Sequence, residues 1–375
     1  MINRILSFVK KEVVLCAAIL CTIVSSIFVR PTFHAVFSAI DWRVLSLLFC
    51  LMILIQGFKK INVLDKLAST VTGFCENTRS LFFALTFLVF FSSMVLTNDA
   101  ALLTFVPLTL LICKKIKINP VRIIILETLA ANLGSCITPM GNPQNLYLYS
   151  FYEMTPKTFF ASTLKIGIPS VVFLVLACLW ESRKNAVSAK SKIELTQTLA
   201  EPIQPVKTVV YSALLILVLL TVFRILDFKL MLAITVVAVI FTNYKLFTKV
   251  DYSLLFTFVG FFIFTSNISS IPSISAFLKS VQRTPLLSYI TGIGVSQVIS
   301  NVPAALLLSK FTTYPFELLL SVNVGGLGTL IASLASVISY KLYKADSENE
   351  GGYMKAFTIY NVLFLVILGV VVWIV

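Results

Sequence analysis

The sequence predicts an all-α polytopic membrane protein with two inverted repeats, each containing a re-entrant helical hairpin and a broken transmembrane helix. Three observations predict this fold. The 375 residues are 58% hydrophobic and only 12% charged, and apolar runs of about twenty residues, enough to cross a bilayer, recur along the chain. Two pairs of shorter apolar arms flank the polar tips TND and SNVP. Two further apolar segments are interrupted by glycines, amides and hydroxyls.

The elements follow from the positions of the apolar runs. The predicted segments are spans 12–30 and 42–58, an amphipathic interfacial stretch 62–79, arms 81–96 and 100–113, broken span 120–151, spans 159–180, 208–223, 229–247 and 251–267, arms 285–299 and 303–314, broken span 316–342 and span 353–375. The predicted divisions are 1–80 (N-terminal scaffold and interfacial helix), 81–180 (first transport unit, hairpin 81–113), 181–207 (cytoplasmic loop), 208–280 (scaffold helices of the second repeat), 281–342 (second transport unit, hairpin 285–314) and 353–375 (C-terminal helix).

The short arms carry the prediction of re-entrance. Arms 81–96 and 100–113 are shorter than the roughly 20 residues that a crossing helix needs. Two short arms joined by a polar tip are typical of a hairpin that enters and leaves the bilayer on one side. We therefore expect the first hairpin to enter from the cytoplasm and the second from outside.

The net charge of +14 reflects orientation in the membrane and does not predict a nucleic-acid partner. Most of the 30 lysine and arginine residues fall in loops on one side of the predicted spans, and such loops are cytoplasmic. We therefore predict a protein of the cytoplasmic membrane with a cytoplasmic N-terminus.

Several classes of site are disfavoured by what the sequence lacks. The cysteines form no CxxC pair, and His34 is the single histidine, which excludes a multi-histidine metal site. There is no GxSxG, HExxH or nucleotide-binding motif, so we predict that the protein is not an enzyme and holds no cofactor. The sequence does not exclude a separate ATPase subunit as a partner.

The two halves of the chain echo one another. Residues 132–146, NLGSCITPMGNPQNL, align with residues 323–337, NVGGLGTLIASLASV. The matched positions are Asn132 with Asn323, Gly134 with Gly325, Ser135 with Gly326, Thr138 with Thr329, Gly141 with Ala332, Asn142 with Ser333 and Asn145 with Ser336. Each segment follows a tip that carries a hydroxyl residue and an asparagine, which favours two related halves.

The interruption at 132–149 indicates a binding site. Gly141 permits unusual backbone dihedrals, and Pro139 and Pro143 break the helical hydrogen-bond ladder. Unwound backbone survives in a membrane only where it is buried in protein or lines a cavity. Helix N-termini there offer partial positive charge and N–H donors to an anion, while freed carbonyls can hold a cation. The alternative is a kinked helix whose polar groups satisfy only one another.

Two acids are candidate proton relays. Asp99 lies at the first tip, inside the predicted membrane region, where carboxylates are costly and usually functional. It carries a coupling proton, helps to bind a cation, or serves as the N-cap of the second arm. Glu127 lies in the broken span and is either a second relay acid or half of a buried ion pair.

The motifs TNDAALLTFVPL, ANLGSCITPMGNPQNL, SNVPAALLL and NVGGLGTLIASLASVISY resemble signature segments of the ion transporter superfamily. This superfamily includes arsenite permeases, related sodium/proton antiporters and divalent-anion/sodium symporters, and the arsenite-permease branch is the most similar. The resemblance implies a substrate site between hairpin tips and broken helices, elevator-like movement, and a homodimer formed through the scaffold. Thr97-Asn98-Asp99 and Ser300-Asn301-Val302 differ from the Ser-Asn-Thr tips of sodium-coupled dicarboxylate carriers, so dicarboxylate recognition does not follow.

Carried over by motif, the resemblance gives a set of substrate- and ion-binding candidates. They are Thr97, Asn98, Asp99, Thr138, Gly141, Asn142, Asn145, Ser300, Asn301, Thr329, Ser333 and Ser336. No structural metal is expected, although sodium could bind transiently near Asn98 and Asn301.

The predicted function is secondary active transport of a small anion, an inorganic oxyanion or a carboxylate, by alternating access. A proton or sodium gradient would drive it. The alternative is a sodium/proton antiporter that uses Asp99. An ion channel is less favoured, because channels tend to repeat identical subunits around an axis.

Overall fold

The computed structural model describes residues 12–184, 204–346 and 352–375, and these residues form 18 α-helices. Helices α1 to α6 are Val13–Val29, Phe33–Ala39, Trp42–Lys60, Val63–Gly73, Thr78–Leu96 and Asn98–Lys115. Helices α7 to α12 are Val121–Ser135, Pro143–Phe151, Pro156–Lys184, Pro205–Val222, Phe228–Asn243 and Tyr252–Ser269. Helices α13 to α18 are Pro272–Ser280, Pro285–Ile299, Asn301–Leu308, Pro315–Val324, Leu334–Asp346 and Tyr353–Ile374. Short 3₁₀ helices cover Tyr244–Lys249 and Leu330–Ala332.

The predicted polytopic membrane protein is confirmed at the level of its helices. Seven of the described helices are long and apolar enough to cross a bilayer: α3, α5, α9, α10, α11 with its 3₁₀ extension, α12 and α18. Two short helices, α2 and α13, lie where the sequence predicted only connections. Most of the predicted loop at 181–207 lies outside the described residues.

Side-chain caps set the starts of several spanning helices. Asp41 accepts a hydrogen bond from the Val44 amide at the start of α3, and Asp251 accepts one from the Leu254 amide at the start of α12. An N-cap carboxylate satisfies an amide that the first helical turn leaves without a partner. These acids therefore define the starts of two helices.

The lengths predicted for the first hairpin are wrong. Its arms, α5 and α6, are 19 and 18 residues long, because Asn77 and Ser80 form a capping box that starts α5 early. At the tip, only Thr97 separates the two helices, and Asp99 lies in the first turn of α6 instead of capping it. Arm length therefore does not support re-entrance here. In the second hairpin the arms, α14 and α15, have 15 and 8 residues.

Both tips share one strained backbone conformation. Thr97 has φ 77° and ψ 151°, and Ser300 has φ 78° and ψ 153°. This region is almost restricted to glycine and costs an L-residue roughly 1–3 kcal/mol. The same unfavourable conformation at two aligned tips indicates that the surrounding structure imposes it on both.

Contacts with α7 fix the direction of the first hairpin arms. The Phe90 carbonyl lies beside Gly134, and the Thr138 hydroxyl donates to the Met94 carbonyl, so α5 runs parallel to α7. Asn98 bonds to Asn132 while Thr109 bonds to Glu127, so α6 runs antiparallel to α7. Helices α5 and α6 therefore form a hairpin.

The second hairpin has the same construction. Gly292 and Ser296 of α14 face Ser321 and Gly325 at the end of α16, so these two helices are parallel. Arms α14 and α15 turn back on each other, since the hydroxyl of Ser288 near the start of α14 lies 3.0 Å from that of Thr312, four residues beyond the end of α15.

Both broken spans are interrupted where the sequence predicts. The first is α7 and α8 with residues 136–142 between them, and the second is α16 and α17 with residues 325–333 between them. Helix α7 crosses α17 in the antiparallel sense, because Thr128 pairs with Ser339 and Asn132 with Ser336.

Two hydrophobic clusters hold these elements. One surrounds the first hairpin and α7, and includes residues of α17 and α18. The other joins α3, α10, α11 and α12 to α8, α15 and α16. The broken spans contribute to both clusters, so their interruptions lie between the two.

Candidate functional site

Two asparagines connect the halves of the chain in a reciprocal way. Asn132 of α7 accepts a hydrogen bond from Ser333 (2.9 Å) and donates to Ser336 (3.4 Å). The aligned Asn323 of α16 accepts from Asn142 and donates to Asn145, at 3.1 and 2.7 Å. Since Asn142 aligns with Ser333 and Asn145 with Ser336, each half makes the same contact with the other.

These residues form what we call the central cluster. Its members are Asn98, Asn132, Ser135, Asn142, Asn145, Asn323, Ser333 and Ser336, and all are at most 5% exposed. Polar groups this deeply buried are stable only when they are hydrogen-bonded. The cluster is therefore a connected network in which the loss of one member leaves others without a partner.

Asn142 and Asn145 hold the first interruption open. The Asn142 side chain caps α8 by accepting from the Asn145 amide at 2.9 Å. The Asn145 side chain donates to the carbonyls of Cys136 and Thr138, at 2.9 and 3.1 Å. These carbonyls lack the N–H donors that a continuous helix would give them, and the Asn145 side chain donates instead. Backbone that is buried in a bilayer needs such a partner.

A hydrogen bond to an aligned carbonyl ties each tip to its interruption, from a backbone N–H in the first half and from a side-chain hydroxyl in the second. The Asn98 amide donates to the Gly141 carbonyl at 3.1 Å, and the Ser300 hydroxyl donates to the aligned Ala332 carbonyl at 3.3 Å. Thr138 and the exposed Thr329 instead bind carbonyls of the hairpin arms, those of Met94 and Gln297. These two threonines thus clamp each hairpin to its broken span, away from the cluster.

Four helix N-termini meet at one small cavity. It is lined by Asn98, Asp99, Pro143, Gln144, Leu254, Asn301, Val302, Ser333 and Leu334. Apart from Leu254, these residues start α6, α8, α15 and α17. Each N-terminus contributes partial positive charge, so four of them together form a favourable environment for an anion.

The cavity is nearly closed. Its volume for the centre of a water molecule is about 10 Å³, which is room for about one water. In this conformation the cavity is too small for an oxyanion or a carboxylate.

Two buried oxygens at this cavity have no hydrogen-bond partner among the described residues. They are Oδ1 of Asp99 and Oε1 of Gln144, and Gln144 is only 2% exposed. Acceptors without a donor in a buried site are costly unless a proton, a cation or a donor on a ligand reaches them.

Glu127 is fully buried on α7, five residues before Asn132 of the central cluster. The Thr109 hydroxyl donates to its Oε1, and Oε2 has no partner in the described part of the chain. Among the described residues the partner of Glu127 is thus a hydroxyl and not a base, so this part of the chain forms no ion pair with Glu127. Its neighbour Thr128 starts a chain of hydroxyls through Ser339 to Tyr353.

Most residues predicted for the site converge here. Asn98, Asn142, Asn145, Ser333 and Ser336 lie in the central cluster, while Asp99 and Asn301 line the cavity. Thr97, Ser300 and Gly141 shape the tips and their contact with the break. Whether these residues bind a substrate stays a prediction.

Sequence reasoning left out Asn132, Ser135, Asn323 and Gln144 as site residues. Asn132 and Asn323 are the same residue at matched positions of the two halves, and this identity could have marked them as site residues. Gln144 is one of the residues of the interruption that supply donors and acceptors, but its burial with an unpaired oxygen follows only from the packing of α8.

Glycine at the first tip is expected to stabilise the protein. Thr97→Gly removes a strained backbone conformation, and we expect the free energy of unfolding to rise by about 1 kcal/mol. Thermal unfolding of the purified variant measures this. Thr70→Gly in the exposed part of α4 is the control and should lower stability by a few tenths of a kcal/mol. Lower stability of Thr97→Gly would contradict the assignment of strain.

Comparison with known proteins agrees with this architecture. Residues 4–315 match the family model described as citrate transporter. The transporter MJ0456 of Methanocaldococcus jannaschii is 33% identical over 312 residues, 82% of each chain. The inner membrane protein YbiR of Escherichia coli is 32% identical over 311 residues, 81% of each chain. The P protein of Mus musculus is 27% identical over 191 residues, 47% of this chain and 23% of its own.

The family model covers most of the chain, including the first hairpin, the first broken span and the second hairpin. The motifs at the tips and breaks already resembled this group, and the superfamily predicted from them is confirmed. A multi-pass membrane protein with these matches is a transporter, and the chain belongs to the citrate transporter family, within the citrate/arsenite permease type.

Proposed function

We propose that the protein is a secondary active transporter that moves a small anion, an inorganic oxyanion or a carboxylate, by alternating access. The single observation that carries this proposal is the convergence of four helix N-termini on one cavity between the two hairpin tips. Amide donors and partial positive charge from several helices stabilise a negative charge without a basic side chain. The family description, citrate transporter, supports carboxylates as the first class to test.

The reciprocal contacts of the two halves support alternating access. Asn132 and Asn323 exchange roles under the alignment of the halves, and α7 and α17 cross in antiparallel directions. Two related halves in opposite orientations can exchange conformations, so that a site between them opens to each side in turn. We propose on this basis that the halves are inverted repeats, that the hairpins are re-entrant, and that the hairpins and broken spans move as an elevator. A homodimer through the scaffold helices belongs to the same proposal.

Asp99 is the proposed carrier of the coupling proton. A protonated Asp99 is a hydrogen-bond donor to an anion in the cavity, whereas an ionised Asp99 repels it, so binding of proton and anion favour each other. Glu127, with its unpaired Oε2 and the adjacent hydroxyl chain, is the proposed second relay acid.

The sodium/proton antiporter remains a second candidate. The unpaired oxygens of Asp99 and Gln144 favour it, because two acceptors at one cavity can coordinate a small cation. In this case Asp99 would exchange a proton for sodium, and no anion would be transported.

A proteoliposome assay with Asp99→Asn tests the coupling. For the wild-type protein we expect an imposed pH gradient to drive uptake of carboxylates or oxyanions from a panel that includes citrate and arsenite. The asparagine keeps the shape of Asp99 but cannot carry a proton, so uptake driven by the pH gradient should fall to background. Glu76→Gln, on the loop before α5, is the control and should leave uptake unchanged.

Two outcomes would contradict the proposal. Uptake by Asp99→Asn that follows the pH gradient as in the wild type would remove Asp99 from coupling. Sodium-dependent proton movement in the absence of any anion would favour the antiporter.

A further inference from the structure

A long groove lies on the outer surface of the helices, away from the central cluster. It runs between α9 and α18, has a volume of about 510 Å³, and is lined mainly by Phe173, Leu176, Trp180, Leu363 and Ile367. Both helices are long enough to span a bilayer, and less than half of the apolar stretch of either is buried. The groove therefore faces the hydrocarbon of the membrane.

One end of the groove is polar. Arg122 and Glu181 lie there, with Arg122 Nε 3.7 Å from Glu181 Oε2. The Tyr360 hydroxyl donates to Glu181, and the Arg122 guanidinium lies 5.5 Å from the centre of the Tyr360 ring. Glu181 is 3% exposed and Arg122 is 39% exposed. Glu181 and the Tyr360 ring thus hold the Arg122 guanidinium in place, and the guanidinium is the charged group that a ligand can reach.

The polar end lies at the membrane surface. Arg122 is in the first turn of α7, five residues after the basic stretch Lys114–Lys117, and Arg183 is in the last turn of α9. Trp180 and Tyr360 are at the same end, and these two residue types concentrate at the level of lipid headgroups. The positive charges identify this surface as the cytoplasmic one.

We propose that this groove is a phospholipid site, with an acyl chain lying between α9 and α18 and the lipid phosphate bound by Arg122. Basic pockets between transmembrane helices on the cytoplasmic side bind anionic headgroups in this manner. The planar guanidinium suits a phosphate because it donates two parallel hydrogen bonds. The apolar lining would contact the acyl chain, and the pre-positioned Arg122 would bind the headgroup.

The test compares a lipid that carries a phosphate in its headgroup with a lipid of the same acyl chains that carries none. Purified full-length protein is titrated with phosphatidylglycerol and with diacylglycerol carrying the same acyl chains, and bound lipid is counted by native mass spectrometry. The wild type should retain phosphatidylglycerol at least about tenfold better, as the loss of a hydrogen bond to a charged group implies. Arg122→Gln should abolish this preference, and the exposed Arg183→Gln should keep it.

The ratio of the two lipids is measured within each variant, so it does not depend on how much protein is folded. Leu363→Trp fills the groove and should reduce retention of both lipids. Equal retention of both lipids by the wild type, or equal loss in Arg122→Gln and Arg183→Gln, overturns the proposal. If Leu363→Trp instead dissociates a dimer without changing lipid retention, a second copy of the chain covers the groove and the proposal is wrong.

Discussion

Asn323→Ala is expected to reduce transport to background. The substitution removes the acceptor of the Asn142 amide and the donor to Asn145 Oδ1. Both partners are at most 1% exposed, and each buried polar group left unsatisfied costs about 1–3 kcal/mol. The residues that interrupt the first broken span would then no longer be held against the second broken span. Uptake into proteoliposomes, normalised to reconstituted protein, measures the effect.

Asn267→Ala is the matched control for Asn323→Ala. Asn267 is also a buried amide with two side-chain partners, Ser25 and Ser26, each at 3.0 Å. It joins α12 to α1, outside the central cluster, so its loss should cost stability but leave the transport rate per folded protein intact. If both variants transport alike, the cross-half bonds hold no special role. Asn132→Ala, the aligned change, should reproduce the defect of Asn323→Ala.

Gly134→Val is expected to prevent the first hairpin from packing. A Cβ at this position would lie 2.1 Å from the Phe90 carbonyl oxygen and 2.6 Å from Ser93 Oγ. The first contact is with backbone, so no change of rotamer relieves it, and α5 must move away from α7. Overpacking of a core site costs about 1–3 kcal/mol, and two added methyl groups place this variant at the upper end or beyond. Fluorescence-detected size-exclusion chromatography after heating measures the loss of folded protein.

A second glycine in a hairpin arm provides the control. Gly294 lies in α14, and a Cβ there meets nothing within 4 Å. Gly294→Ala should therefore raise stability by up to about 1 kcal/mol, since alanine is the better helix former. A Gly134→Val protein as stable as the wild type would show that the hairpin does not pack against α7 as described.

Hydropathy and residue pattern predicted the helices well because bilayer thickness constrains them directly. Spans such as 42–58 and 353–375 correspond to α3 and α18 within two residues at each end. The interruptions were also predictable, since Pro139, Gly141 and Pro143 lie close together, whereas the isolated Pro107 and Pro169 lie inside the continuous helices α6 and α9.

In the first hairpin, hydropathy did not predict where the helices begin. The capping box at Asn77 and Ser80 extends α5 beyond its apolar run, and Asn98 and Asp99 belong to α6 although they are polar. Local capping, and not hydrophobicity, decides these boundaries. The partners in the central cluster could not be derived either, because they depend on which side chains meet when two distant halves pack. The motif supplied the residue types, and packing supplied the pairs.

The chemical neutrality of the central cluster has an electrical consequence. Among the described residues that form it or line the cavity, none is lysine, arginine or histidine, and Asp99 is the only acid. These residues thus supply no positively charged side chain to neutralise the charge of an anion in transit. Moving one elementary charge against 100 mV takes about 2.3 kcal/mol, so entry of an anion into an inside-negative cell would be opposed in proportion to its valence. We expect the valence of the cargo to set the number of cations that must travel with it, and the sign of the transport current to report that number.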